Sequence, residues 1–157
     1  MPAKLFSKHF QICYVVRDAQ HTMARFRARL GMAAWSVLDT SGPDSPVSAI
    51  AMAYIDDLMI ELIEPVAGRP SIYDGWAPAN PDAMKLHHLG FLVHSDAEWQ
   101  AALDQLDANG YAAAYAGSFG DTLDFHYADC TAELGHYHEL IYLKAAGEAL
   151  FASVPRN

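Results

Sequence analysis

A strand-like stretch that begins with histidine occurs twice in this chain, and its repetition constrains the fold more than any other feature. The two copies occupy residues 9–16 and 88–93, and both are rich in the β-branched and aromatic residues that favour strands. Similar residues then recur at nearly equal distances from His9 and His88: Asp18 and Asp96 after 9 and 8 positions, Gly31 and Gly110 after 22, and Glu61 and Glu139 after 52 and 51. The chain therefore contains two halves built to one plan.

The order of predicted elements is the same in both halves. After the first strand, a capping residue, apolar residues at helical spacing and a closing glycine predict a helix. Three strands follow in each half, at residues 35–39, 47–55 and 58–63 and at residues 111–115, 123–128 and 136–143. The sequence thus predicts an α+β protein of two tandem βαβββ modules: residues 1–79 with a proline-rich linker, and residues 80–157 with a C-terminal tail.

Composition excludes several classes of function. The formal net charge of −9 argues against nucleic acid as a partner, because binding its phosphates requires clustered Lys and Arg. The chain has no signal-peptide pattern and no run of about 18 apolar residues, so we expect neither secretion nor a membrane partner. Cys13 and Cys130 have no CxxC spacing, which favours a reduced, cytoplasmic protein.

Two glutamates stand in strands where apolar residues are expected. Side chains alternate along a strand, so Glu61 shares its face with Met59 and Ile63, and Glu139 shares its face with Tyr137 and Ile141. A carboxylate among apolar side chains needs a partner of opposite charge or a hydrogen-bond donor. Both glutamates are therefore candidate site residues.

Two βαβββ modules, each with a histidine at the start of the first strand and a glutamate in the last, resemble the vicinal oxygen chelate superfamily. This superfamily includes glyoxalase I, methylmalonyl-CoA epimerase, extradiol dioxygenases, and the fosfomycin and bleomycin resistance proteins. The resemblance covers roughly residues 7–143 and implies a curled, mostly antiparallel sheet around a central cavity. It also implies one divalent metal ion (Zn, Ni, Co, Mn or Fe(II)) bound by His9, Glu61, His88 and Glu139. Two imidazoles and two carboxylates suit such ions and leave open positions for two substrate oxygens.

Other histidines compete for a place in the site. Alignment of the two halves on His9 favours His88 over His87, which alternation sends to the opposite face. His136 shares the face of Glu139 only if a bulge beside Gly135 shifts the strand. With such a bulge, His136 or His126 could reach the cavity as an acid, a base or a substrate contact.

The reaction implied by the resemblance is proton transfer next to a carbonyl. A chelating metal acidifies the neighbouring C–H, and Glu61 or Glu139 can move the proton, with His136 as a further catalytic candidate. The aromatic residues Tyr54, Phe125, Tyr127 and Tyr137 are candidates for substrate binding. The resemblance thus implies a metal-dependent isomerase, epimerase or glyoxalase-like lyase acting on a small oxygenated or acyl substrate.

Neither of the two best-matching reactions fits fully. The epimerase pattern carries a Glu base on the strand before that of Glu61, but the only acidic residues between positions 40 and 60 are aspartates. The glyoxalase pattern carries an Arg on the first strand, where this chain has Cys13 or Tyr14. An extradiol-type dioxygenase and a metal-free binding or resistance protein remain alternatives. We expect a small-molecule substrate as partner and a homodimer, whose modules could pair within one chain or between two.

Overall fold

The computed structural model describes residues 4–157, which form eight strands and four helices. The first module consists of β1 (His9–Val15), α1 (Ala19–Leu30), β2 (Ser36–Asp39), β3 (Val47–Ile55) and β4 (Leu58–Pro65). The second consists of β5 (Lys85–Val93), α2 (Asp96–Ala108), β6 (Ala113–Phe119), β7 (Leu123–Ala128), the short helix α3 (Thr131–Leu134) and β8 (Tyr137–Leu143). Helix α4 (Ala145–Ser153) follows. The predicted α+β class and the tandem βαβββ plan are confirmed.

The helices begin and end where the sequence signals predicted. Asp18 caps α1 by accepting a hydrogen bond from the His21 amide, and Gly31 ends that helix at a φ of 74°. Ser95, one residue before Asp96, caps α2 by accepting a hydrogen bond from the Glu98 amide. The caps therefore fix the number of residues between each first strand and the helix that follows it.

The four strands of each module are arranged in the same way. The order is β2-β3-β4-β1 in the first module and β6-β7-β8-β5 in the second. In both, the first and last strands of the module pair in parallel, and the other neighbours are antiparallel. The histidine-bearing strand and the glutamate-bearing strand are therefore direct neighbours in each module.

The chain divides into two compact units that do not follow a single cut along the sequence. Residues 11–87 and 154–157 form the first unit, and residues 4–10 and 88–153 form the second. In the first unit, the C-terminal segment is held by hydrogen bonds between Tyr54 and both Pro155 and Asn157. In the second, the N-terminal segment is held by an ion pair between Lys8 and Glu98 with an N–O distance of 2.8 Å. The predicted boundary at residues 79 and 80 lies between β4 and β5.

Each module packs one sheet face against its first helix. In the first unit, Val16, Leu62 and Phe26 belong to one buried cluster with strand β3. In the second unit, Phe91, Leu140 and Leu106 belong to the corresponding cluster between the sheet and α2. The opposite sheet face is left for the side chains that alternate with these residues. None of the helices within residues 4–157 combines the length and the hydrophobicity that a membrane span requires.

Candidate functional site

The sheet face away from α2 carries five of the predicted site residues of the second unit: His88, Phe125, Tyr127, Tyr137 and Glu139. Strand register places Glu139 of β8 opposite Gly90 of β5 on one side and opposite Tyr127 of β7 on the other. His88 of β5 lies opposite Tyr137 of β8. Because residues directly opposite each other share a sheet face, all of these side chains point away from the helix.

His88 and Glu139 form a direct buried pair on this face. The His88 Nε2 atom lies 3.0 Å from the Glu139 Oε2 atom, and the two side chains are 0% and 7% exposed. The His88 ring also contacts the Tyr127 ring edge-on, with centroids 5.0 Å apart. Two ligand atoms at metal-bonding distance from one cation lie about 3.0 to 3.5 Å apart. The pair therefore has the spacing and the chemistry of two adjacent metal ligands.

The corresponding face of the first unit carries Glu61. Strand register places Glu61 of β4 opposite Cys13 of β1 and opposite Met52 of β3. Glu61 and Cys13 are both buried, and a carboxylate oxygen of Glu61 lies within 4.8 Å of the Cys13 sulfur. Thiolate and carboxylate are both metal ligands, so Cys13 joins the candidates. Cys13 is not among the ligands that the resemblance implies.

The register also corrects the alignment of the two halves. Glu61 lies opposite Cys13 and Glu139 lies opposite Gly90, so Cys13 is equivalent to Gly90. Two residues earlier in each strand, Gln11 is therefore equivalent to His88. The alignment of His9 with His88 is wrong by two residues. The helix caps agree, because Asp18 and Ser95 each follow by seven positions.

Gln11 and His9 differ in their surroundings. The Gln11 side chain is buried and its Nε2 donates a hydrogen bond to the Met59 sulfur over 3.4 Å. His9 is exposed, and its ring centroid lies 5.2 Å from that of Phe91. Phe91 belongs to the buried cluster between the sheet and α2, here called the helix-side cluster. An amide oxygen at position 11 is a harder ligand than an imidazole.

His136 does not enter the strand through a bulge. Gly135 ends α3 with a φ of 77°, β8 begins at Tyr137, and its register with both neighbours is continuous. His136 is buried, and its Nδ1 donates a hydrogen bond to the Tyr137 carbonyl over 2.8 Å. Its catalytic role stays a prediction, and the condition for its sharing the face of Glu139 is not met.

His87 and His126 lie on the opposite faces of their strands from His88 and Tyr127. The His87 Nε2 lies 3.0 Å from the Ile72 carbonyl oxygen, and its ring contacts those of Tyr73 and Trp76. His126 is half-buried and pairs with Leu140 of the helix-side cluster. The preference for His88 over His87 agrees with these positions.

The buried ring of His138 makes stability depend on pH. Burial, and secondarily the charge of His136, lowers the pKa of His138 to about 4 from an ordinary value of 6.5. Between these values the unfolded chain binds a proton that the folded chain does not. We expect the free energy of unfolding to fall by up to about 3 kcal/mol as the pH decreases through this window.

Urea unfolding at pH 7 and pH 4.5 checks this expectation. A His138→Gln variant lacks the titrating group and should lose less stability between the two pH values than the unmodified protein. The same loss in both proteins would assign the acid sensitivity to other groups.

The four aromatic residues predicted to bind substrate lie in both units. Phe125 and Tyr127 are buried neighbours on β7, with ring centroids 5.9 Å apart, and Tyr137 lies half-buried beside His88 in the strand register. Tyr54 is opposite Met59, and the Arg156 guanidinium lies 4.4 Å from its ring centroid. Phe125, Tyr127 and Tyr137 thus share the face of Glu139.

Groups used by the two best-known reactions are not at the expected places. Strand β3 carries no carboxylate, because Asp44 lies before it and Asp56 and Asp57 form the turn after it. On β1, Tyr14 packs on the helix side and Cys13 is fully buried. Strand β3 therefore lacks the base of the epimerase pattern, and β1 has Cys13 and Tyr14 where the glyoxalase pattern has an arginine.

The fold and these paired strands define a known class of protein. The family model described as Glyoxalase/Bleomycin resistance protein/Dioxygenase superfamily matches residues 10–127, well over half of the chain. The chain belongs to this superfamily, as the sequence predicted. A search of curated proteins found no significant match.

Solved structures of methylmalonyl-CoA epimerases are similar in fold. A variant of the Streptomyces coelicolor enzyme in complex with 2-nitronate-propionyl-CoA has a TM-score of 0.65 at 16% identity, over 88% of this chain and 96% of that chain. The Mycobacterium tuberculosis enzyme has a TM-score of 0.65 at 16% identity, over 98% and 97%. A methylmalonyl-CoA epimerase in complex with methylmalonyl-CoA and NH4+ has a TM-score of 0.64 at 18% identity, over 88% and 96%.

Proposed function

We propose that this protein is a metal-dependent enzyme that moves a proton next to a carbonyl group of a small oxygenated or acyl substrate. The reaction class is that of an isomerase or epimerase, or of a glyoxalase-like lyase. The observation that carries the proposal is the buried pair of His88 and Glu139, with 3.0 Å between nitrogen and oxygen, on the sheet face left open by α2.

The ligand set begins with this pair. His88 and Glu139 supply one imidazole and one carboxylate, and Glu61 is the equivalent carboxylate of the other module. Gln11 takes the position that the repeat assigns to the fourth ligand, in place of His9. The set is richer in oxygen than the predicted one, which shifts the preference among Zn, Ni, Co, Mn and Fe(II) toward the harder ions Mn and Fe(II). When bound, such an ion stabilises negative charge on a substrate oxygen beside the reacting carbon.

The acid–base step falls to the glutamates. A general base must lie within hydrogen-bond reach of the proton that it removes, and β3 offers no carboxylate for this task. Glu139 and Glu61 lie on the open face of their strands, where a carboxylate can accept a proton and return it. Burial in apolar surroundings excludes water and strengthens the electrostatic interactions on which the step depends.

The substrate is proposed as a class. Two of the similar epimerase structures contain acyl-CoA compounds, which supports an acyl thioester among the candidates. The replacement of the base on β3 argues that the reacting carbon is placed differently from that of methylmalonyl-CoA. We also propose that the enzyme works as a cytoplasmic homodimer. The cytoplasmic location is supported by Cys13 and Cys130, which are not joined in a disulfide.

Exchange of substrate protons with solvent tests the reaction class. The metal-loaded protein is incubated in D2O with methylmalonyl-CoA, hydroxyacetone or the hemithioacetal of methylglyoxal and glutathione, and NMR follows the loss of the α-C–H signal. The proposal predicts metal-dependent exchange with at least one of these carbonyl compounds. Oxygen uptake with catechols, with no α-proton exchange, would instead identify a dioxygenase. Unchanged ligand binding by metal-stripped protein would identify a metal-free binding protein.

A further inference from the structure

Strand β6 is the most exposed element of the second unit. All seven of its residues are exposed, and within the described part of the chain it pairs only with β7. Tyr115 and Phe119 are 47% and 61% exposed, which is unusual for large aromatic side chains on a sheet face. The strand thus displays two aromatic rings that the fold of this unit does not bury.

These rings belong to the same sheet face as the candidate site. Tyr115 lies opposite Tyr127 and Phe119 lies opposite Leu123, and β7 in turn presents this face beside Glu139. The Tyr115 and Phe119 rings lie 5.0 and 5.1 Å from the Phe125 ring. The Tyr127 ring lies 5.0 Å from the His88 ring. A continuous series of ring contacts therefore joins the exposed strand to the His88–Glu139 pair.

Gly117 is the residue that allows this arrangement. It lies between Tyr115 and Phe119 on the same face and opposite Phe125. A Cβ atom at this position would lie 2.9 Å from the Phe125 Cζ atom, which is closer than carbon atoms pack. The Phe125 ring can therefore lie across β6, between the two exposed rings, only because residue 117 has no side chain.

We propose that Tyr115, Phe119, Phe125 and Tyr127 form an aromatic platform that binds an aryl or other flat apolar group of the substrate. The inference rests on the proposed function, because it places the substrate oxygens that would chelate the metal beside His88 and Glu139. Neighbouring strands are about 5 Å apart, so β6 lies about 10 Å from the Glu139 strand. The platform therefore selects substrates whose apolar group extends about 10 Å from the oxygen pair. Flat rings suit the platform because aromatic groups stack or meet edge-on at these distances.

Hydroxamates of different size separate this inference from the proposed function. Acetohydroxamate presents two chelating oxygens with a methyl group, and 2-naphthohydroxamate presents the same oxygens with a flat bicyclic ring. Calorimetry on the metal-loaded protein should show that the naphthyl compound binds at least about tenfold more tightly. In a Tyr115→Ala/Phe119→Ala variant this advantage should fall by about tenfold, while the affinity for acetohydroxamate stays the same.

Two further variants check the role of the strand face. Gly117→Ala should reduce the naphthyl advantage by displacing the Phe125 ring. Ser118→Ala, on the opposite face of β6, should leave it unchanged. The altered residues are exposed, so their replacement should leave the fold intact, and circular dichroism checks this.

The outcomes are distinct. A naphthyl advantage that is equal in the unmodified protein and the double variant overturns the platform. If the double variant also loses a dimer that the unmodified protein forms in sedimentation, this face binds a second copy of the chain instead. Absence of acetohydroxamate binding counts against the proposed chelation, and the platform is then judged by whether 2-naphthohydroxamate binding differs between the two proteins.

Discussion

Replacement of Glu139 by glutamine is expected to lower the rate of metal-dependent α-proton exchange by about 10² to 10⁴, the usual contribution of a positioned acid–base group. The amide keeps the size of the side chain, but it cannot accept the proton and it is a weaker ligand beside His88. Glu139 is buried and lies opposite Tyr127 on the open sheet face. NMR exchange rates in D2O measure the effect.

Glu148→Gln is the matched control for this change. Glu148 is an exposed carboxylate of α4 in the same unit, and its replacement should leave the exchange rate within about twofold. An exchange rate in Glu139→Gln as high as in Glu148→Gln would remove Glu139 from the reaction.

Phe91→Ala is expected to lower the free energy of unfolding by about 3 to 5 kcal/mol. Phe91 is 1% exposed and packs in the cluster beneath α2 with Leu106 and Leu140. Its ring also stacks on that of His138, with centroids 4.0 Å apart and an interplanar angle of 9°. Truncation leaves a cavity between the sheet and the helix, which denaturant unfolding detects.

Phe6→Ala separates burial from aromatic contact. The Phe6 ring meets the Phe91 ring edge-on at 5.4 Å, but Phe6 is 58% exposed. Its truncation should therefore cost at most about 1.5 kcal/mol. Equal losses in the two variants would mean that the cluster beneath α2 is not the main core of this unit.

Strand alternation accounts for only part of the prediction of the His88–Glu139 pair, because His88 entered through the alignment with His9 and the resemblance to the superfamily. Alternation placed Glu139 on an otherwise apolar face and gave a reason to prefer His88 over His87, and the two modules followed from the repeat. These features depend on local periodicity, which the sequence displays directly. The N-cap of α1 at Asp18 was recognisable for the same reason.

The position of the fourth ligand could not be predicted from residue identity. Aligning the halves on their two histidines placed His9 with His88, whereas strand pairing makes Gln11 the equivalent residue. The helix caps would have given the correct alignment, because a cap fixes the distance between strand and helix. A glutamine in the place of a histidine gives no signal to a search for repeated residue types.

Long-range packing accounts for the other differences. The predicted strand at residues 111–115 is displaced to Ala113–Phe119, because pairing with β7 extends it to the next turn. The C-terminal residues form hydrogen bonds with Tyr54 over a separation of about 100 residues. Hydrogen bonds between distant segments leave no local pattern in the sequence.

Metal content is the measurement that tests the central claim most directly. Protein purified without chelators is analysed by mass spectrometry for divalent metals, together with a His88→Ala variant. The control is His126→Ala, which alters a histidine of β7 on the sheet face that packs against α2. We predict about one ion per chain in the unmodified protein and in His126→Ala. His88→Ala should lose more than about a hundredfold in metal affinity, since even indirect supports of a ligand contribute up to that amount. Equal metal content in His88→Ala and His126→Ala would contradict the account.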